Sequence, residues 1–258
     1  MRRSPLDPSA LRGLPGGWSV EILPETPSTN ALVSDRARAG APAGLVVTTE
    51  HQTAGRGRLD RGWEMPPRAA LAVSVLLRPE GVPAERWPWL PLMTGVAVAG
   101  ALRDLGYAAG LKWPNDVLIH GRKLCGILVE RVETPAGAAA VVGIGLNTSL
   151  TPEELPVPTA TSLAIEGGAP VDRTAVLAAV LTHLATAYDA WQTAPARLAA
   201  DYRALSVSVG EQVRAELPDG SVIEGLATAI DPHGRLVIAH DGRETAVGAG
   251  DVVHARLR

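Results

Sequence analysis

The chain has 258 residues, of which 46% are hydrophobic and 20% are charged, a balance typical of a globular protein with a sizeable core. A formal net charge of −3 at pH 7 argues against a surface dedicated to nucleic acid. The single cysteine, Cys125, excludes an internal disulfide and favours a reducing, cytoplasmic location. Proline and glycine interrupt the basic N-terminus, and no run of about 18 apolar residues occurs, so we expect neither a signal peptide nor a membrane span.

The first half of the chain predicts strands alternating with helices. Residues 1–17 lack periodicity and predict a loose tail. Strands are predicted at residues 18–23, 45–49 and 69–77. Thr26 followed by Pro27 is typical of an N-cap, and the helix that it predicts ends at Gly40. Residues 87–107 predict a long apolar helix, whereas residues 51–62, rich in glycine and arginine, predict no regular element.

Two hairpins are predicted next. One turns at residues 120–122, between strands at 117–119 and 124–130, and the other turns at residues 134–137, between strands at 124–132 and 138–146. Pairing about the second turn places positions whose numbers sum to about 270 opposite each other. Lys123 and Asn147 are therefore predicted at the same edge of the sheet.

The pattern changes after two further predicted helices, at residues 172–193 and 195–205. Short strands are predicted at residues 209–217, 222–230, 236–240, 244–247 and 252–256, with tight turns between them. We therefore expect an α+β protein: an N-terminal tail at 1–17, a domain at 18–205 with a mixed or antiparallel sheet flanked by helices, and a small β-barrel at 206–258.

Four segments carry unusual polar residues. The loop at residues 50–58 combines glycines, which let backbone N–H groups approach a phosphate, with arginines, which bind phosphoryl oxygens in bidentate fashion. Lys112-Trp113-Pro114-Asn115-Asp116 is either a turn or a compact set of polar ligands, and Lys123 and Asn147 end strands. Each segment alone also fits an ordinary surface loop or turn.

Other chemistries find no support. The six histidines show no ligand spacing, so we expect no zinc site, and no Gly-x-Ser-x-Gly elbow is present. Cys125 has no activating histidine beside it in the sequence and is expected to be a small buried strand residue.

These segments together resemble the successive signatures of biotin–protein ligases. The resemblance is carried, in the family's order, by Ser28-Thr29-Asn30, the loop from Gln52 to Arg58, Lys112-Trp113-Pro114-Asn115-Asp116, Lys123-Leu124-x-Gly126-Ile127-Leu128-x-Glu130 and Gly143-Ile144-Gly145-Leu146-Asn147. The resemblance covers about residues 20–256, where it implies a catalytic domain followed by an SH3-like barrel. About twenty residues precede the first strand, too few for a helix-turn-helix, which points to the ligase-only class.

The resemblance implies an activity and a set of site residues. Biotin is activated with ATP to biotinyl-AMP and is then transferred to a lysine of a carrier protein. Catalytic roles fall on Arg56, Lys112, Asp116 and Lys123. Biotin binding falls on Ser28, Thr29, Asn30, Gln52, Arg56, Gly57, Arg58 and Lys123. Adenylate binding falls on Arg58, Trp63, Lys112, Asn115 and Asn147.

The chemistry adds further expectations. The buried ureido head of biotin needs paired donors and acceptors, and its apolar part needs a slot that valine, isoleucine and leucine of the sheet can line. Mg²⁺ is expected with ATP, without assigned protein ligands. Asp116 is a candidate to orient the attacking lysine. The arginine loop, residues 52–62, is expected to order only when the anionic adenylate binds.

Several alternatives stay open at this point. A lipoate–protein ligase shares the chemistry, a non-catalytic repressor would bind biotinyl-AMP, and a scaffold would bind peptides through the barrel. The acceptor is expected to be the biotin carrier domain of a carboxylase, with no nucleic acid or membrane partner. The sequence leaves monomer and homodimer equally open.

Overall fold

A computed structural model describes residues 3–58, 61–63, 65–217 and 219–248, and the backbone of residues 251–254. Its first sheet has seven strands in the order β1-β2-β5-β9-β8-β7-β6. These strands are β1 (Ser19–Leu23), β2 (Leu45–Thr49), β5 (Ala70–Leu77), β6 (Ala109–Lys112), β7 (Asp116–Ile119), β8 (Arg122–Thr134) and β9 (Gly137–Asn147). Only the β1–β2 pair is parallel among these described strands, so the sheet is mixed, as predicted.

Five α-helices occur in the described part of the chain. They are α1 (Thr29–Arg38), α2 (Leu90–Asp104), α3 (Leu163–Gly167), α4 (Arg173–Thr193) and α5 (Pro195–Leu205). The first is capped by Ser28, whose Oγ accepts from the N–H of Ala31 at 3.3 Å, and not by Thr26 as predicted. Thr26 instead bridges to Gln52, because pairing with a distant segment outweighs the local cap pattern.

The sheet is covered on both faces, which explains why all eight residues of β5 are buried. Side chains alternate along a strand, so Leu71, Val73 and Val75 join the main core with α2 and α4. Leu76 faces the other way and packs with Val33 of α1. Farther along this second face, beyond the N-terminus of α1, the strands carry small residues and leave space.

The hairpin of β8 and β9 has the predicted geometry. Cys125 lies opposite Leu146 and Thr134 lies opposite Gly137, so partner numbers sum to 271 where the prediction is about 270. The arginine-rich segment holds a short hairpin that was not predicted, formed by β3 (Gly55–Arg56) and β4 (Gly62–Trp63). Its residues 59 and 60 lie outside the described part of the chain.

A second, five-stranded antiparallel sheet follows α5, in the order β13-β12-β11-β10-β14. Its strands are β10 (Gln212–Glu216), β11 (Val222–Ile230), β12 (Leu236–His240), β13 (Arg243–Val247) and β14 (Asp251–His254). Residues 255–258, which include the end of the last predicted strand, lie outside the described residues. Val213 and Ile238 belong to the same buried cluster as the main core, so the two sheets share apolar contacts.

The N-terminal segment is not the loose tail that the sequence predicts. Leu6 and Leu11 are buried in the main core, and Ser9–Leu11 forms a turn of 3₁₀-helix. The guanidinium of Arg173 donates to Ser4 O at 2.8 Å and to Glu50 Oε2 at 2.5 Å. Proline and glycine content predicts irregular backbone here, but contacts from residues far along the chain hold it in place. None of the described helices is long and apolar enough to span a bilayer.

Candidate active site

A cavity of about 630 Å³ opens over the face of the first sheet beyond the N-terminus of α1. It is lined by all thirteen residues that the sequence analysis singles out as site residues. These are Ser28, Thr29, Asn30, Gln52, Arg56, Gly57, Arg58, Trp63, Lys112, Asn115, Asp116, Lys123 and Asn147. The fold therefore brings together segments that lie more than a hundred residues apart in the sequence.

One end of the cavity is a buried polar corner at the start of α1. Thr29 and Gln52 are buried, and Gln52 Oε1 accepts from the backbone N–H of Thr29 at 3.0 Å and from its hydroxyl at 3.2 Å. Ser28 is also buried, and its hydroxyl caps the helix. The corner offers hydroxyl and amide groups that a neutral polar ligand can pair with.

Asn30 is held from two sides by residues that the sequence analysis did not assign to the site. Its Nδ2 donates to Glu130 Oε2 at 2.7 Å, and its Oδ1 lies 2.6 Å from the hydroxyl of Ser74. Ser74 Oγ also lies 2.8 Å from Thr29 Oγ1. The available signal for Ser74 was a lone hydroxyl in an otherwise apolar strand, but its partners come from α1 and so do not show in the local pattern.

Two arginines tie the arginine loop to other segments of the site. Arg56 Nη2 lies 3.1 Å from Glu130 Oε1, and Arg58 Nη1 donates to Asn115 Oδ1 at 3.1 Å. The hairpin is closed by Gly57, whose N–H donates to Arg61 O at 2.6 Å. Both predicted arginines therefore face the cavity while Glu130 and Asn115 hold them.

Trp63 packs against the strands beneath it, so closely at Gly145 that only glycine fits there. A Cβ added at Gly145 would lie 2.6 Å from the indole ring, and one at Gly126 would lie 3.6 Å from it. The indole Nε1 is buried and has no hydrogen-bond partner among the described residues. This indole forms part of the cavity wall.

The turn between β6 and β7 supplies the next set of polar groups. Lys112 pairs with Asp116 in the strand register, and Lys123 Nζ lies 2.6 Å from Asp116 Oδ1. Asn115 is fixed to β8 by two hydrogen bonds to Ile127. Its side-chain Nδ2 donates to Ile127 O at 2.8 Å, and its backbone carbonyl oxygen accepts from Ile127 N–H at 2.9 Å. Asp116, the candidate to orient the attacking lysine, here makes an ion pair with Lys123.

The second sheet holds this turn in place. The buried Trp113 donates its indole N–H to Gly234 O at 2.9 Å, and its backbone N–H donates to Ser208 Oγ at 3.2 Å. Both acceptors belong to the part of the chain that comes after α5. The C-terminal part of the chain thus contributes to the site through the position of Lys112 and its neighbours.

A segment without a recognisable motif forms the remaining wall. Pro156, Val157 and Ala160 line the cavity, and the backbone of Lys123 pairs with this segment through Thr159 and Thr161. Asn147 Nδ2 donates to Thr161 O at 3.0 Å. Lys123 and Asn147 therefore lie at the same edge of the sheet, as their register predicts.

Apolar residues of the sheet reach the cavity lining, as expected. Val73, Ile127 and Ile144 also belong to the main core on the other face of the sheet, whereas Leu128 does not. Small residues occupy four further strand positions on the cavity side. They are Ala72, Gly126, Gly143 and Gly145. Space for a ligand thus comes from missing side chains, which hydrophobic patterning does not reveal.

The electrostatics of the site favour an anion. Five basic side chains and one carboxylate are found among the described lining residues, namely Arg56, Arg58, Arg61, Lys112 and Lys123 with Asp116. Cys125 has no part in this chemistry, because its burial raises the pKa of the thiol far above neutrality. No group of three or more metal-ligating side chains occurs among the described residues.

Comparisons with known proteins agree with this geometry. Residues 22–147 match the Biotin/lipoate A/B protein ligase family, and residues 209–255 match the Biotin protein ligase C terminal domain. The chain is 44% identical to the biotin–[acetyl-CoA-carboxylase] ligase of Mycobacterium tuberculosis, over 98% of this chain and 97% of that protein. It is 32% identical to the bifunctional ligase/repressor BirA of Escherichia coli, over 92% of this chain and 74% of that protein.

A solved structure shows the same fold. The biotin protein ligase from Aquifex aeolicus in complex with biotin and ATP superposes with a TM-score of 0.80 at 26% identity, covering 93% of this chain and 99% of that one. The family matches span both sheets, and all of the lining residues except Pro156, Val157 and Ala160 lie within the matched range 22–147. The chain therefore belongs to the biotin–protein ligase family.

Proposed function

We propose that the cavity joins biotin to a lysine of an acceptor protein in two steps. In the first step a carboxylate oxygen of biotin attacks the α-phosphorus of ATP, and pyrophosphate leaves. In the second step a neutral lysine nitrogen attacks the carboxyl carbon of biotinyl-AMP, and AMP leaves with the bonding electrons. The observation that carries this proposal is the convergence of a buried polar corner and five cations on one cavity.

The cations are assigned to the phosphoryl groups. Both steps gather negative charge on phosphoryl oxygens, and preorganised positive groups stabilise it best. Arg56, Arg58 and Lys112 reach the cavity from two separate segments, so they can surround a phosphate chain. Lys123 is assigned to the biotin carboxylate and the α-phosphate, at the point where the new bond forms.

The polar corner is assigned to the ureido head of biotin. Ser28, Thr29, Asn30 and Gln52 present paired donors and acceptors in a buried setting, where an unpaired polar group is costly. The glycine-lined strand surface beside them is assigned to the thiophane ring and the valeryl chain. Gly57 lets the loop backbone approach the ligand closely.

The adenylate is assigned to the opposite end of the cavity. Trp63 offers an aromatic face there, while Asn115 and Asn147 offer amides. Asn147 is buried and already oriented by Thr161 O, so its Oδ1 is positioned to accept. These roles follow from position and chemistry together.

Asp116 is assigned to the transfer step. A lysine amine has a pKa of about 10.4 in water, so the acceptor arrives as an ammonium. Asp116 lies within the cavity with its carboxylate on Lys123. Once Lys123 turns to the phosphate of the adenylate, this carboxylate is available to orient the incoming ammonium and to accept its proton.

Mg²⁺ is expected to enter with ATP. The described residues offer no cluster of three ligating side chains, and Mg²⁺ usually keeps water and phosphate oxygens as most of its ligands. The cavity therefore fits an ion held mainly by the phosphates, whose charge it offsets. The acceptor proposed is the biotin carrier domain of a carboxylase, and the lone buried Cys125 supports a cytoplasmic setting.

The proposal is tested by biotin-dependent exchange of labelled pyrophosphate into ATP. The wild type is expected to exchange label, and Lys123→Ala is expected to lose about 10²-fold or more in rate because a preorganised positive group is removed. Arg122→Ala is a matched control, because Arg122 precedes Lys123 but pairs with Glu166 outside the cavity. Full exchange by Lys123→Ala would contradict the assignment.

A lipoate ligase is the alternative that the same experiment addresses. The matched family covers both biotin and lipoate ligases. The buried amide and hydroxyl groups around Gln52 suit a ureido head, whereas the dithiolane ring of lipoate offers no such donors or acceptors. Exchange supported equally well by lipoate would remove the preference for biotin.

A further inference from the structure

The lysines of this chain have an unusual distribution. Of the 24 basic residues, 22 are arginines, and the only two lysines in the 258 residues are Lys112 and Lys123. Both line the cavity described above. The rest of the sequence therefore contains no lysine side chain.

This distribution matters because of the chemistry of the intermediate, an argument that rests on the proposed function. Biotinyl-AMP is a mixed anhydride and acylates a neutral amine: the N–C bond forms, the C–O bond to phosphate breaks, AMP leaves with the electron pair, and the amine proton passes to solvent. Arginine cannot take the place of lysine in this reaction, because its guanidinium stays protonated in proteins. A protein surface whose basic residues are all arginines still attracts anions, but it presents no lysine that the adenylate could acylate.

The two lysines inside the cavity lie at positions where their positive charge, and not their nucleophilicity, serves the proposed reaction. Lys123 Nζ lies 2.6 Å from Asp116 Oδ1, and as an ammonium in this ion pair it has no free lone pair. Lys112 ends β6 directly opposite Asp116 in the register, among the other cations. Under the proposed function both lysines bind phosphoryl oxygens of the adenylate through their positive charge.

We propose that this lysine distribution makes the side chains of this protein inert toward its own acyl-adenylate, so that the activated biotin is kept for a lysine of another protein. The α-amino group at the N-terminus is the remaining amine, and peptide mapping separates label there from label on lysine. The arginine excess by itself has a simpler origin in coding bias. Such a bias, however, does not select which lysines remain, and the cavity takes up only a small part of the chain. The consequence for reactivity holds whatever the origin of the composition.

The test measures self-acylation by intact mass and peptide mapping at pH 8, without an acceptor. One arm supplies biotin, ATP and Mg²⁺, and the other supplies synthetic biotinyl-AMP. A lysine-rich bystander protein in each tube reports that active adenylate is present. The second arm keeps the test independent of the proposed function, since it needs no adenylate synthesis by the chain.

Two variants add a lysine without changing charge. Arg61→Lys places an amine on an exposed residue that lines the cavity, and Arg197→Lys places one on an exposed residue of α5 that does not. The wild type is expected to carry roughly tenfold less biotin per lysine than the bystander. Arg61→Lys is expected to gain label at residue 61, and faster than Arg197→Lys does at residue 197 in the ATP arm.

Two results would overturn the proposal. One is labelling of Lys112 or Lys123 in the wild type at the bystander's rate. The other is an unlabelled Arg61→Lys chain beside a labelled bystander, which would show that something other than the missing lysines protects the surface. Loss of labelling in the ATP arm alone would instead point to failure of adenylate synthesis, and thus of the proposed function.

Discussion

Arg56 and Glu130 form an ion pair of 3.1 Å that joins the arginine loop to β8. The other carboxylate oxygen of Glu130 accepts from Asn30 at 2.7 Å, so one side chain connects the loop with the polar corner. One side chain thus contacts both the arginine loop and the proposed ureido site, although these segments lie far apart in the sequence. Substrate groups bound at the two places are expected to influence each other through Glu130.

The first prediction concerns Glu130. Glu130→Ala frees Arg56 and leaves Asn30 Nδ2 with only its longer contact to Leu128 O at 3.3 Å, and loss of the Glu130 contact costs about 1–3 kcal/mol. We expect the KM for biotin in pyrophosphate exchange to rise between about 5-fold and 150-fold, with a smaller rise for Glu130→Gln, which keeps an acceptor for Asn30. Glu133→Gln is the control, because Glu133 makes an exposed pair with Arg131. An unchanged KM for Glu130→Ala would refute the link.

The second prediction concerns the glycines beneath Trp63. Gly145→Ala places a Cβ 2.6 Å from the indole and must displace it, whereas Gly126→Ala meets the ring only at 3.6 Å and the flexible end of Lys123 at 3.4 Å. If Trp63 packs against adenine, Gly145→Ala is expected to raise the KM for ATP about tenfold. This factor corresponds to the loss of one aromatic contact, which contributes up to about 1.5 kcal/mol. Gly126→Ala is expected to raise it much less. Equal KM values for ATP in both variants would argue against the role of Trp63.

Local patterns predict part of this fold well. The β8–β9 register follows from a tight turn and alternating residues, and Cys125 opposite Leu146 is within one position of the prediction. The same reasoning places Lys123 and Asn147 at one edge. The thirteen predicted site residues were identified by their order along the chain, which resembles that of a known family, and all of them line the cavity. No single segment identifies the chemistry alone.

The features that escaped prediction depend on distant contacts. Residues 1–17 resemble a loose tail in composition, but Leu6 and Leu11 within this segment pack into the main core. The lone hydroxyl of Ser74 is a weak local signal and the wall at residues 156–160 carries none, because the partners of both are set only when α1, β5 and β8 come together. A sequence without an alignment reveals motif-bearing residues more readily than the residues that support them.

The third prediction concerns the buried ion pair of Arg173 and Glu50. Arg173→Ala leaves the buried carboxylate of Glu50 without its main partner and frees Ser4 O, which typically costs about 3–5 kcal/mol of unfolding free energy. Arg38→Ala removes a comparable charge from an exposed i,i+3 pair with Asp35 and is expected to cost within about 0.5 kcal/mol. Urea unfolding of both variants measures the difference. Equal stability losses would mean that the N-terminal segment is not held by Arg173.

The last prediction concerns Trp113, through which the second sheet holds the Lys112–Asp116 turn. Trp113→Phe removes the indole donor and leaves Gly234 O buried without it, a loss of about 1–3 kcal/mol. Trp87→Phe is a matched control, because its indole donates to Val82 O, five residues away, at a longer 3.3 Å. If the second sheet positions the turn, Trp113→Phe lowers the pyrophosphate exchange rate at saturating biotin and ATP, while Trp87→Phe leaves it unchanged.

Two outcomes separate a structural role of this hydrogen bond from a role in catalysis. If Trp113→Phe is less stable to urea but exchanges pyrophosphate at the wild-type rate, the hydrogen bond has a purely structural role. A fall in rate at temperatures where the variant is fully folded would instead tie the C-terminal part of the chain to catalysis through a single hydrogen bond.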